Sequence, residues 1–141
     1  MVAAVPRVSG VLETALYVAD LDRAREFYQK LFDFETFIDG GHMCALGILG
    51  EQVLLLFRYG MTGEPARCSG EFISPHCGYG ALPLCFATSY REVLAWDVRL
   101  GSPSNIVESN LRWPQQGGSL CFRDLDRHAP ELAMPGRWPN R

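Results

Sequence analysis

A chain of 141 residues with 48% hydrophobic and 21% charged side chains carries enough apolar material for a folded core and lacks the composition of a disordered segment. A net charge of −3 without any run of basic residues argues against nucleic acid as a partner. No apolar stretch approaches the roughly 18 residues of a membrane span, and Met1–Val5 has neither a basic n-region nor an h-region, so a cytoplasmic protein is expected.

In chain order, Val11–Val18 (VLETALYV) reads as a strand, rich in apolar and β-forming residues. Asp20 follows as an N-cap. Leu21, Ala24, Phe27, Tyr28 and Leu31 then recur at helical spacing. Glu35–Ile38, Cys44–Ile48 and Gln52–Phe57 read as three strands, separated by turns at Gly40-Gly41 and Gly50-Glu51. The order is β-α-β-β-β. A glycine- and proline-rich loop occupies about 60–80, a length that in a compact domain is commonly functional.

The same order returns in the second half. Leu84–Thr88 is a strand, and Ser89 with Glu92 forms a capping box ahead of a helix through Val93, Trp96 and Leu100. Ile106–Trp113, Ser119–Phe122 and Ala129–Met134 are three further strands, with turns at Gly117-Gly118 and Asp124–Arg127. A shift of 70 residues superimposes Leu12–Ala15 on Leu82–Cys85, and a shift of 76 superimposes Val53–Leu55 on Ala129–Glu131. A six-residue insertion in the second half is therefore expected, and the repeat rests on element order rather than on matching letters. The expected architecture is one α+β domain over 1–141. Its two βαβββ modules, about 11–59 and 82–135, form a curved eight-stranded mixed sheet around a cleft. Phe27, Leu31 and Trp96 are expected on the helix-bearing faces.

Strand parity sorts the side chains. Glu13, Ala15 and Tyr17 share one face of the first strand; Leu12, Leu16 and Val18 share the other, which suits a covering helix. Glu13 is then left on the concave face, and by the same parity Glu131 lies with Ala129 and Ala133, and Leu55 with Val53 and Phe57. A carboxylate in an apolar strand needs a partner. Two readings stand: a structural ion pair with Arg123 or Arg112, or Glu13 and Glu131 facing one cleft and sharing a cation or a proton. Tyr17, Phe57, Trp113 and Arg123 are candidate pocket residues. The cysteines at 44, 68, 77, 85 and 121 form no C-x-x-C pair and are expected to be small buried hydrophobes rather than zinc ligands or disulfides.

LETALYVADLDRAREFYQKLF, SPHCGYGALPLCFA and RWPQQGGSLCFRDLDRHAPELAMPGRWP together resemble the vicinal oxygen chelate superfamily, the glyoxalase, bleomycin-resistance and extradiol dioxygenase group, over about 11–139. The resemblance implies four metal-ligand positions. Glu13 stands at the first and Glu131 at the last. Leu55 stands where the family often has Glu, and Pro83 where it usually has His. Two carboxylates suit a weakly held hard cation such as Mg²⁺ or Mn²⁺ rather than Zn²⁺ or Ni²⁺. His76, in the glycine-rich loop, is a substitute ligand if that loop folds back. His42, beside a Gly-Gly turn, and His128, on the opposite parity from Glu131, are not read as ligands.

The resemblance also implies a small-molecule pocket, to which Leu55 and Pro83 contribute, and a homodimer. Two functions follow. One is a metal-dependent lyase, isomerase or oxygenase with an incomplete metal site, in which Glu131 is ligand or general base. The other is a metal-free protein that binds a drug or metabolite.

Overall fold

Period-2 patterning in the first half produces strands whose odd and even residues part cleanly between two environments. The computed structural model describes residues 3–101, 107–113, 117–136 and 138–139, with the backbone alone at 68, 111–113 and 117. It divides into two compact units, Met1–Cys77 and Gly78–Arg141.

In the first unit, β1 (Glu13–Val18) leads into α1 (Leu21–Phe32), followed by β2 (Glu35–Asp39), β3 (Met43–Ile48) and β4 (Gln52–Arg58). The sheet order is β1-β4-β3-β2, with β1 parallel to β4 and the other pairs antiparallel. The parallel pair is what the helical crossover permits, because a hairpin cannot join parallel strands. Asp20 caps α1 by accepting from the Arg23 amide, and Asp33 ends it in the left-handed region.

The core of this unit lies between helix and sheet. Leu16, Val18, Cys44, Leu46, Leu54 and Leu56 are buried beneath Leu21, Ala24 and Tyr28. Tyr28, rather than Phe27 or Leu31, is the deepest helix residue: Leu21, Ala24 and Tyr28 lie on one stripe, and the other two flank it half-buried. Burial pushes the Cys44 thiol up, keeping it a neutral core group.

The loop after β4 contains a small ribbon, β5 (Ala66–Cys68) and β6 (Glu71–Ile73), joined by Ser69-Gly70, both at positive φ. That is the hairpin turn whose twist matches its strands.

The second unit repeats the first with β7 (Pro83–Ala87), α2 (Tyr90–Gly101), β8 (Val107–Trp113), β9 (Gly117–Phe122) and β10 (Ala129–Ala133), in the order β7-β10-β9-β8. Ser89 Oγ accepts from the Glu92 amide at 3.3 Å, as a helix start should. Leu100 is the fully buried residue of α2, and Trp96 is half-buried. Pro83 opens its strand, where a missing N–H costs no ladder bond.

The eight strands therefore make two four-stranded mixed sheets instead of one continuous sheet, each closed by its own parallel pair. The register repeats between them. Glu13 pairs with Val53 and Ala15 with Leu55; Pro83 pairs with Ala129 and Cys85 with Glu131. Both offsets read from the sequence, 70 and 76, are present in these pairs.

Five of the six inserted residues lie in the β8–β9 hairpin: Asn110 pairs with Leu120, ten residues on, where Asp39 pairs with Cys44, five residues on. A bulge recurs too, at Phe37 in β2 and Glu108 in β8. Ile106, read as a strand residue, lies outside the described residues. No described helix is long and apolar enough to cross a membrane.

Candidate functional site

The face of the first sheet opposite α1 carries an open trough and is the candidate site. Alternation places Glu13, Ala15 and Tyr17 of β1, Val53, Leu55 and Phe57 of β4, and Met43 and Ala45 of β3 on it, around an open trough of about 690 Å³. Ala15 and Ala45 are the register neighbours of Leu55 on either side, so the floor is low and the leucine stands above it.

Phe37 adds a wall that parity alone misses. It is the extra residue of the β2 bulge, and its ring lies over Gly47. A Cβ on Gly47 would come within 2.2 Å of the Phe37 ring, so the glycine is a steric requirement of this wall.

The loop supplies the remaining wall. Ile73 and His76 fold back onto the trough. The neck of this loop is closed by main chain and hydroxyl: the His76 amide donates to the Thr62 carbonyl at 2.8 Å, and the Thr62 hydroxyl donates to the His76 carbonyl. The His76 ring meets Phe57 edge-on at 4.5 Å, and its Nδ1 lies 2.8 Å from the Tyr17 hydroxyl. Tyr17 also packs against Phe57 and Tyr59. The result is an aromatic corner with one imidazole in it.

Glu13 stands at the other end of the trough and is exposed. It follows that no desolvation problem arises there of the kind a buried carboxylate would create. Tyr17 lies four steps along β1 from it, about 13 Å at roughly 3.3 Å per residue, so Glu13 and the imidazole stand at opposite ends of the trough. Of the two structural partners considered for Glu13, Arg123 is engaged elsewhere: its Nε donates to Glu108 at 2.9 Å and its Nη1 to the Arg127 carbonyl at 3.0 Å. The Arg112 side chain lies outside the described residues. Arg123 and Glu108 occupy the register positions of Gly47 and Phe37, so the same bulge carries an ion pair in one unit and an aromatic wall in the other.

In the second unit, Glu131 is half-buried between Cys85 and Cys121, and Pro83 is exposed at the start of β7. Glu131 thus holds the register position that Leu55 holds in the first unit, and Pro83 that of Glu13. The Trp113 side chain lies outside the described residues. His128 is a buried structural residue: its Nδ1 accepts from the Leu82 amide at 3.0 Å, and Asp124 Oδ1 accepts from the Asp126 and His128 amides. The D-x-D stretch is therefore a turn clamp. His42 is exposed.

Among the described residues, no group of three or more His, Cys, Asp or Glu is gathered where a metal ion could be held. Among the four described cysteine side chains, Cys44 is buried, Cys77 and Cys85 are exposed and Cys121 is half-buried, where most were expected in the core.

No family model matches the chain, and no curated protein sequence matches it. Solved structures do. The crystal structure of a lactoylglutathione lyase from Agrobacterium tumefaciens is 30% identical, with a TM-score of 0.84 over 95% of this chain and 99% of that one. An integron cassette protein from the mobile metagenome of the Halifax Harbour sewage outfall is 20% identical, with a TM-score of 0.68 over 90% and 99%. A genomically encoded fosfomycin resistance protein, FosX, from Listeria monocytogenes, complexed with Mn(II) and sulfate, is 20% identical, with a TM-score of 0.66 over 91% of each chain. The last two show the fold.

Proposed function

The chain belongs to the vicinal oxygen chelate superfamily, and from that premise we propose that it is a small-molecule-binding member whose ligand seats on the apolar trough of the first sheet without a chelated metal. A catalytic metal centre takes about three protein ligands and keeps an open position. The four positions implied by the family read Glu13, Leu55, Pro83 and Glu131 in this chain. Leucine and proline side chains offer no donor atom. His76 lies at the far end of the trough from Glu13. This donor set does not fit a catalytic metal.

The observation that carries the reading is Leu55. At the position matching Glu131 by register, an aliphatic side chain stands on the trough floor between two alanines. Such a surface takes up apolar ligand area. A two-ring ligand hiding about 150 Å² gains about 4 kcal/mol, which corresponds to a Kd of about 1 mM before any polar contact is counted.

Calorimetric titration with Ni²⁺, Zn²⁺, Mn²⁺ and Fe²⁺ tests this. The expected result is weak binding without defined stoichiometry; one tightly bound equivalent of any of them overturns it. The likeness to the lactoylglutathione lyase favours a second reading, a lyase retaining Glu13 and Glu131, with Glu131 as ligand or general base. Stoichiometric metal would select that reading. A homodimer is part of the proposal, and light scattering at 15.7 kDa, the mass of one chain, would count against it.

A further inference from the structure

We propose that His76 is the polar anchor of the trough, presenting an Nε2–H donor to a carbonyl or carboxylate oxygen of a ligand with an aromatic body. This inference rests on the trough being the binding surface. The two groups at 2.8 Å, Tyr17 Oη and His76 Nδ1, must share one proton. A phenol is the stronger hydrogen-bond acid, and a bare imidazole nitrogen is the stronger base, which favours the hydroxyl as donor and Nδ1 as acceptor. A neutral imidazole carries a single N–H. With Nδ1 committed as acceptor, that proton resides on Nε2. Nε2 has no hydrogen-bond partner among the described residues, while the ring itself lines the trough. Phe57, edge-on at 4.5 Å, and the closed Thr62–His76 neck hold the ring in place.

The surroundings select the ligand. Tyr17, Phe57 and Tyr59 form an aromatic corner that favours a flat, unsaturated body. A donor with no partner among the described residues, set beside apolar walls, favours a ligand that supplies an acceptor over an isostere that does not. The ligand class is therefore an aromatic ketone or aromatic acid, with its oxygen at the His76 end.

The test uses 2-acetylnaphthalene and 2-isopropenylnaphthalene, which differ by a carbonyl oxygen against a methylene, titrated by NMR in the presence of EDTA. The native protein should bind the ketone about tenfold more tightly. His76→Phe keeps a ring against Phe57 and leaves the main-chain neck intact; it should bind both probes equally. Tyr17→Phe releases the tautomer and should give an intermediate preference. Two-bond ¹H–¹⁵N spectra should show His76 Nδ1 unprotonated in the native protein and mixed in Tyr17→Phe. Equal binding of both probes by the native protein, or a preference that survives His76→Phe, overturns the anchor while the trough reading stands. Failure of both probes to bind overturns the trough reading itself.

Discussion

Replacing Leu55 by glutamate restores the carboxylate that the family often carries at this position and tests what the leucine does. Leu55 is the register partner of Ala15, two residues along β1 from Glu13. With strands about 4.8 Å apart and a rise of about 3.3 Å per residue, the Cα atoms of residues 13 and 55 are about 8 Å apart, on one face. Two carboxylates at that distance repel by about 0.5 kcal/mol if fully hydrated and about 2 kcal/mol at the effective dielectric of a protein surface. Lost apolar contact adds about 1 kcal/mol. Leu55→Glu should therefore cost about 1.5–3 kcal/mol, a drop in Tm of roughly 6–12 °C at about 4 °C per kcal/mol.

Binding of an apolar probe should fall at least about tenfold, because the new charge must be desolvated. Mn²⁺ at millimolar concentration should recover part of the lost Tm by bridging the pair, and should leave the native Tm unchanged. Thermal melts with and without Mn²⁺, and probe titration, are the assays. Leu55→Met is the control, expected to bind within about twofold of native because volume and polarity are kept. Undiminished probe binding in Leu55→Glu would refute the placement of Leu55 on the ligand surface. No Mn²⁺ effect would refute the distance to Glu13.

Gly47→Ala should displace the half-exposed Phe37 ring at a cost of about 1 kcal/mol, and combining it with Phe37→Ala should cost no more than Phe37→Ala alone, as denaturant melts of the three variants would show. Ser119 Oγ is buried without a hydrogen-bond partner among the described residues, so Ser119→Ala should leave stability unchanged or raise it by up to about 1–2 kcal/mol; a loss beyond about 1 kcal/mol would reveal a partner for the hydroxyl. Iodoacetamide followed by mass spectrometry should modify Cys77 and Cys85 first and Cys44 only on unfolding, since Cys44 is fully buried and its thiol is held neutral.

The strand faces of β1 and β4 were readable because both strands alternate. Leu16 and Val18 went to the helix, and Glu13 and Tyr17 to the trough, as parity requires. The two offsets of the repeat were readable as well, since Val53–Leu55 and Ala129–Glu131 hold the same place in their sheets.

The bulges were not readable. No residue type marks Phe37 or Glu108 as the unpaired position, yet the bulge turns one into a trough wall and the other into the partner of Arg123. The β5–β6 ribbon escaped because its three-residue strands sit within a stretch dominated by glycine and proline. His76 was visible only as a loop histidine; its engagement by Tyr17, 59 residues earlier, is a tertiary fact. Glu13 was read as needing either an arginine ion pair or a cation or proton shared with Glu131, because its strand is apolar. At the first position of β1 its side chain is exposed, a placement that alternation alone did not give.

An apolar trough without a chelated metal should bind an aromatic ligand on the first sheet alone. The most direct measurement is a ¹H–¹³C NMR titration of the native protein with 2-acetylnaphthalene, recorded with EDTA and again with diamagnetic Zn²⁺ in place of EDTA. The account predicts saturable shifts at Met43, Leu55, Phe57 and Ile73, all lining the trough, with the same Kd under both conditions. Shifts that appear only with Zn²⁺, or that map to residues away from this face, would contradict it.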